Sequence, residues 1–256
     1  MSKSNRRWLR GGRSTVSDVE SSMPSSPNLE QGLLASWSSN ASAWTRLVRE
    51  GLLRSRVEVT NAAILEAVGP TQSGTLLDLG CGEGWLAHLL VERGWTVLGV
   101  DAVSELIETA RSGPGEFLCA EYEKLGTVLE GRKLDCVVAN FSLLGETSTE
   151  TALRDSVGHL KPGGRLVIQT LHPCSITPYV DGWRQEDWSG MSDSCAPQPW
   201  YFRTLQTWIA LLNSLGLKIC ALLEPRAEGA EHPSSLVLIA GSTKSSPTSG
   251  SNRLQP

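Results

Sequence analysis

A doubly wound α/β domain built on a mostly parallel sheet is the fold class this sequence predicts. Three observations predict it. Short apolar, strand-like runs recur between residues 75 and 169, helical stretches fall between most of them, and the runs are apolar on both faces. A strand of that kind needs cover on both sides, which the intervening helices supply.

The 256 residues, 40% hydrophobic and 20% charged, suffice for one sizeable core with appendages. Residues 1–28, rich in Ser, Arg and Pro, are expected to form a disordered tail, as are residues 242–256. Lys3, Arg6, Arg7, Arg10 and Arg13 faintly suggest a transit peptide, but Asp18 and Glu20 follow and no amphipathic helix is evident. Residues 29–72 are expected to be an N-terminal helical extension. Trp37, Ala41, Trp44 and Val48 recur at helical spacing, with Gly51 as the stop. A second helix is predicted to begin at Thr60 and Asn61, both good caps, and to end at Gly69-Pro70.

The core is expected over residues 73–241. Strands are predicted at 75–79, 96–100, 116–120, 134–139 and 165–169, with helices at 85–93, 104–111 and 149–160. After Thr170 the alternation pauses. Residues 171–203 carry Pro, Gly and Asp together with Trp183, Trp188 and Trp200, and form a cap insertion after the fifth strand. A helix at 204–215 resumes the core. Strands near 217–223 and 235–240 follow, joined by a Pro/Gly-rich link too short for a crossover helix, so they pair as an antiparallel hairpin.

A net charge of −4 gives no general attraction to polyanions, so nucleic acid is not an expected partner. The six cysteines form no C-x-x-C pair, and Cys119, Cys136 and Cys220 lie in apolar runs; this fits reduced thiols in the cytoplasm. His172 and Cys174 are the only close pair of metal-ligand types, too few for a metal site. No apolar run approaches the ~20 residues that span a bilayer. A monomer or homodimer is expected.

The chemistry lies in the loop Gly80-Cys81-Gly82-Glu83-Gly84, placed between a strand and a helix. Glycines let the backbone turn sharply and approach a ligand, and the carboxyl ends of central strands are where open α/β sheets bind ligands. A dinucleotide fingerprint would need a small residue at position 85, where this chain has Trp85. Asp78 puts a carboxylate at the mouth, suited to an ammonium group and unsuited to pyrophosphate. Asp101, at the end of the next strand, can accept hydrogen bonds from two ribose hydroxyls. A nucleoside with a cationic end and no phosphate meets these requirements, and S-adenosyl-L-methionine is such a molecule. The same features oppose the competing reading, an NAD-dependent oxidoreductase.

The stretch from Leu76 to Gly84 resembles the first motif of class I S-adenosylmethionine-dependent methyltransferases, and Val100-Asp101 resembles their second. Residues 134–140 resemble the fourth strand of that family and residues 160–166 the turn into the fifth. The core from about 35 to 240 is similar to the bacterial group that includes quinone-biosynthesis C- and O-methyltransferases. The resemblance implies seven strands with the last antiparallel, and S-adenosyl-L-methionine as methyl donor. Carried onto this chain, it sets Gly80, Cys81 and Gly82 against the amino-acid part of the cofactor, with Asp78 close to its ammonium. Asp101 would hold the ribose, Ala102, Glu121 and Tyr122 would flank the adenine, and Asn140 and Phe141 would lie beneath the methionine portion. Glu121 and Tyr122 follow Ala120, where the family more often has Gly or Asp.

In-line methyl transfer needs alignment of the acceptor and exclusion of water, and a base only where an acceptor proton must leave. His172, after the fifth strand, is the candidate base; its alternative role is to hold the cap. Tyr201 is a candidate for the acceptor pocket or for an aromatic hinge. The stretch 181–188 mixes acids with aromatics, as either a pocket for a polar acceptor or an exposed cap edge. Arg46 and Arg56 are candidates to meet the cofactor carboxylate. Enzymes that methylate exocyclic amines of bases resemble Asn/Asp-Pro-Pro-Tyr/Phe after the fourth strand; Asn140-Phe141-Ser142-Leu143 lacks those prolines. A small-molecule acceptor is therefore expected. The remaining alternative is a non-catalytic subunit that binds the cofactor only.

Overall fold

The computed structural model describes residues 26–71, 73–186 and 195–242. Both predicted tails fall almost wholly outside them, as do Asp187 and Trp188 of the cap.

The chain opens with α1 (Ser26–Arg49), a π-helical turn (Arg56–Thr60) and α2 (Asn61–Val68). Thr60 does not cap α2 as predicted. Its backbone stays helical, with no side-chain cap bond, because the preceding turn runs straight into the helix and the Asn61 N–H donates to the Arg56 carbonyl. An N-terminal N–H that already has a carbonyl needs no cap.

The core elements follow as β1 (Thr75–Leu79), α3 (Trp85–Glu92), β2 (Thr96–Asp101), α4 (Ser104–Ala110), β3 (Glu116–Cys119), α5 (Leu125–Val128), β4 (Leu134–Asn140), α6 (Thr147–Gly158) and β5 (Leu160–Thr170). The segment after β5 contributes β6 (Gly182–Glu186) and β7 (Gln198–Phe202), followed by α7 (Leu205–Ser214), β8 (Leu217–Leu223) and β9 (Leu236–Ser242). Leu160 belongs to β5 rather than to the preceding helix: it pairs with Leu134 before the ladder shifts register. Thr204 is the N-cap of α7, its side chain accepting from the Thr207 N–H.

Seven strands form one sheet in the order β3-β2-β1-β4-β5-β9-β8. β1 to β5 pair in parallel, and β9 runs antiparallel to both β5 and β8. This is the predicted doubly wound sheet with one antiparallel strand. Alternation along each strand feeds two cores. Leu77, Val137 and Leu166 face α6 and α7, meeting Leu153, Trp208 and Leu212. Leu76, Val138 and Val167 face α2, α3 and α4, meeting Ile64, Leu90 and Ile107.

Two buried or half-buried polar side chains dock α1 over the carboxyl edge of the sheet. Asn40, fully buried, donates to the Ala196 carbonyl and accepts from the Ala196 N–H, closing α1 onto the segment that leads into β7. Glu30 accepts from the N–H groups of Glu146, Thr147 and Ser148 and from the Ser148 hydroxyl. A carboxylate from one helix thus satisfies the orphan donors at the N-terminus of α6, where the helix dipole also favours negative charge. β6 and β7 pair as a separate two-stranded sheet, and β7 packs against α1.

Candidate active site

The strand order reverses between β1 and β4, and the carboxyl ends of β1, β2 and β4 converge there. The turn after β1 needs left-handed backbone: φ is 73° at Gly80, 58° at Gly82 and 87° at Gly84. The N–H groups of Gly80 and Cys81 both donate to the Val100 carbonyl, at 2.8 and 3.1 Å, fixing the loop to the end of β2. Asp101 completes the clamp. Its Oδ2 accepts from the Gly82 N–H at 3.0 Å and its Oδ1 from the Val103 N–H at 2.9 Å. Cys81 is buried, with its sulfur against Gly99, so a small residue suits that position.

Carboxylates crowd this end of the sheet. Asp78 is 1% exposed, and its Oδ2 has no hydrogen-bond partner among the described residues. Burial, reinforced by repulsion from Asp101 and Glu83, pushes the Asp78 carboxyl up to about 8. Burial also raises the Asp101 carboxyl, against the N–H bonds that it accepts. Glu83, equally buried, is raised by desolvation, with backbone N–H groups and Arg56 acting the other way. Arg56 lies between two indoles, 5.3 Å from the Trp44 ring centroid and 4.8 Å from that of Trp85. Desolvation lowers its guanidinium to about 10, and Glu83 opposes that shift.

Ser142 and Tyr122 close onto the glycine loop. The Ser142 hydroxyl donates to the Leu79 carbonyl and the Tyr122 hydroxyl to the Ser142 carbonyl, the latter at 3.2 Å. Burial, with the negative charge of Asp101 adding to it, holds the Tyr122 phenol far above its ordinary range. A Cβ at Gly80 would stand 2.3 Å from the Ser142 Cβ and 2.7 Å from the Tyr122 hydroxyl. Phe141 turns the chain out of β4 with φ at 55°, its N–H donating to the Gln169 carbonyl. The Asn140 Oδ1 is buried without a partner among the described residues.

The residues singled out in sequence therefore divide. Asp78, Gly80, Cys81, Gly82, Asp101, Asn140 and Phe141 stand at the carboxyl ends of β1, β2 and β4 or on the turns leaving them, and Tyr122 reaches the glycine loop from the helical turn after β3. Ala102 follows Asp101, its carbonyl accepting from the Cys119 thiol, and Glu121 is exposed after β3. Glu83 and Ser142 carried no signal of their own, because one looked like a turn residue and the other like a loop polar group.

Tyr201 lies on β7, its N–H donating to the Leu144 carbonyl at 2.7 Å and its ring edge-on to Trp183. Arg203 stacks over Tyr201 and Trp208 and donates to the carbonyls of Gly145 and Glu146. A shallow recess between Leu143, Thr170, Tyr201 and Trp208 opens beside them. Within stretch 181–188, Asp181 is a fold contact: it accepts from the Thr204 N–H and from the Thr207 hydroxyl. His172 is 8% exposed, with Nε2 2.9 Å from Glu224 and Nδ1 2.7 Å from the Cys174 sulfur. Among the described residues, no three His, Cys, Asp or Glu side chains are grouped to hold a metal, and no helix is long and apolar enough to cross a membrane.

Residues 77–168 match the model of a methyltransferase domain family. The ubiquinone biosynthesis O-methyltransferase of Rickettsia felis is 27% identical over 157 residues, which cover 56% of this chain and 63% of the relative. The trans-aconitate 2-methyltransferase of Azoarcus is 34% identical over 117 residues, covering 44% and 46%. This chain thus spans less than two thirds of the length of these curated relatives. Among solved structures, an S-adenosylmethionine-dependent methyltransferase from Mesorhizobium loti superposes with a TM-score of 0.57 at 22% identity, covering 70% of this chain and 96% of that one. The 1,6-didemethyltoxoflavin-N1-methyltransferase of Burkholderia thailandensis gives 0.62 at 19% identity, covering 88% and 94%. At such identities the likeness establishes the fold.

Proposed function

We propose that this chain is a class I S-adenosylmethionine-dependent methyltransferase that transfers a methyl group from S-adenosyl-L-methionine to a small-molecule acceptor, a reading supported by the matched methyltransferase domain over residues 77–168 and by the likeness to the named relatives. The observation that carries the proposal is the buried carboxylate cluster at the glycine loop. Asp78, Glu83 and Asp101 are all raised by burial, and Arg56, the cation that acts most strongly on Glu83, is engaged by Trp44 and Trp85. Such a site favours a ligand that brings positive charge. The sulfonium cofactor is cationic at two points and carries a ribose, so the residues fit it.

When bound, the cofactor supplies a methyl carbon activated for in-line displacement. The chain's own residues then bind, orient and exclude water. Asp78 would hold the ammonium, Asp101 the ribose hydroxyls, and the backbone at Gly80, Cys81 and Gly82 the amino-acid part. Ala102, Glu121 and Tyr122 would border the adenine, and Asn140 and Phe141 the methionine portion. α1, pinned by Glu30 and Asn40, would exclude water from above. The acceptor would lie beside Tyr201 under the cap, where alignment accounts for most of the rate. His172 would serve as base only after its Nδ1 leaves the Cys174 sulfur.

A small, non-nucleic-acid acceptor is supported by the net charge of −4, by the turn Asn140–Leu143 without prolines, and by the acceptors for which the relatives are named. A cytoplasmic setting is supported by the free thiols at Cys81, Cys119, Cys136, Cys174 and Cys220. Incubation with methyl-labelled cofactor and a metabolite extract tests the reading: a labelled small molecule is expected. A folded protein that binds cofactor and yields no product would instead be a non-catalytic subunit.

A further inference from the structure

Cys174, His172 and Glu224 stand in line at the carboxyl edge of the sheet, apart from the glycine loop. β8 runs antiparallel to β9 and β9 antiparallel to β5, so β5 and β8 end on the same edge. His172 follows β5 and Glu224 follows β8, which brings the His172 Nε2 to 2.9 Å from Glu224 Oε1. On the other side of the ring, Nδ1 accepts the Cys174 N–H at 3.3 Å and lies 2.7 Å from the Cys174 Sγ. A nitrogen that accepts a backbone N–H carries no proton, so this pattern assigns the ring proton to Nε2, donated to Glu224. The same Nδ1 lone pair faces the thiol at the shorter distance, so the long N–H contact and the sulfur share it.

Thiol, imidazole and carboxylate in this order make an activated nucleophile: the imidazole takes the thiol proton, and the carboxylate fixes the tautomer and stabilises the imidazolium. The base is buried while Cys174 is exposed, so the nucleophile alone meets solvent. The two ring nitrogens point in opposite directions, so sulfur and carboxylate cannot converge on one metal ion. The other exposed thiols differ. Cys119 and Cys220 donate to the backbone carbonyls of Ala102 and Lys218.

We propose that Cys174 is a covalent modification site that reacts with small-molecule disulfides by thiol–disulfide exchange. The Cys174 thiol gives its proton to His172, and the thiolate attacks one sulfur of the disulfide. A new sulfur–sulfur bond forms as the old one breaks, and the departing thiolate takes the proton back from His172. The disulfide is the oxidant and one half of it leaves as thiol. Acyl transfer, the other common use of such a triad, needs donors for an oxyanion. Here the Cys174 N–H is spent on His172, the Ser175 N–H on the His172 carbonyl and the Ile176 N–H on the Pro173 carbonyl. Disulfide exchange develops no oxyanion.

The test treats the full-length protein at neutral pH with 2-hydroxyethyl disulfide, a neutral probe, and follows each cysteine by peptide mass spectrometry. Cys174 is expected to react at least about tenfold faster than Cys119 or Cys220 in the same molecules. Glu224→Gln, at a side chain half exposed to solvent, is expected to reduce that advantage several-fold without moving the other two rates. His172→Ala is expected to abolish it. Equal rates for the three cysteines in the wild-type protein would overturn the proposal, as would an advantage that survives Glu224→Gln and His172→Ala intact. The wild-type comparison requires neither variant to fold and does not depend on methyl transfer.

Discussion

Acidification from pH 7.5 to 6.0 is expected to weaken binding of S-adenosylmethionine by about 20- to 30-fold. The perturbation acts on Asp78, whose carboxyl is pushed up to about 8 by burial first and by Asp101 and Glu83 second. With that value, roughly a quarter of the ligand-free protein carries an ionised Asp78 at pH 7.5 and about one part in a hundred at pH 6.0. An ammonium held by Asp78 requires the ionised form, so binding expels the proton, and each pH unit of mismatch costs about 1.4 kcal/mol. The cofactor's own amine, with an ordinary value of about 7.7–8.0, stays mostly protonated in this window, so the slope belongs to the protein. Calorimetric titrations at half-unit steps should show log Kd rising by about one for each unit of acidification, with protons released on binding. Asp78→Asn is expected to bind more weakly and to flatten the profile. A wild-type affinity independent of pH, or improved by acid, would refute the reasoning.

The same carboxyl governs the free protein. Its folded value lies above the unfolded value of 3.8, so the unfolded state ionises first and stability is lost as pH rises from about 4 to 8. Between pH 6 and 8 the loss should approach about 2–3 kcal/mol in denaturation experiments, and Asp78→Asn should remove most of it; stability that rises across this window and is insensitive to Asp78→Asn would contradict the shift. Gly80→Ala is expected to destabilise by about 1–3 kcal/mol, because its Cβ would overlap Ser142 and Tyr122 at a positive φ; an unchanged midpoint would show that the loop is not closed in this way. Glu30→Ala is expected to cost about 1–2 kcal/mol by stripping the N-terminus of α6 of its acceptor, measured by urea unfolding.

The core was legible because burial on both faces leaves an unbroken apolar mark on each parallel strand, as in Leu76-Leu77 and Val137-Val138. Asp78 and Asp101 were legible for a related reason: a charged residue ending an apolar strand has few structural uses. What escaped reading depends on contacts distant in sequence. Glu30 caps a helix more than a hundred residues further along, and Asn40 holds a backbone segment of the cap. Arg56 was singled out with Arg46 for the cofactor carboxylate, but only the fold brings Trp44 and Trp85 to its two sides. Thr60 had the chemistry of a cap but not the surroundings, since the turn before it was already helical. The triad at Cys174 needed Glu224, which the order β5-β9-β8 alone carries to His172.

Asp101, the acid that joins the glycine loop to the end of β2, is the side chain on which the proposed cofactor site most directly depends. Titration of S-adenosylhomocysteine into the wild-type protein and Asp101→Ala measures its role. The wild-type protein is expected to bind, and the variant to lose about 1–3 kcal/mol, roughly 5- to 150-fold in Kd. Equal affinities in two folded proteins, or binding of NADH in place of the nucleoside, would contradict the assignment of this cleft.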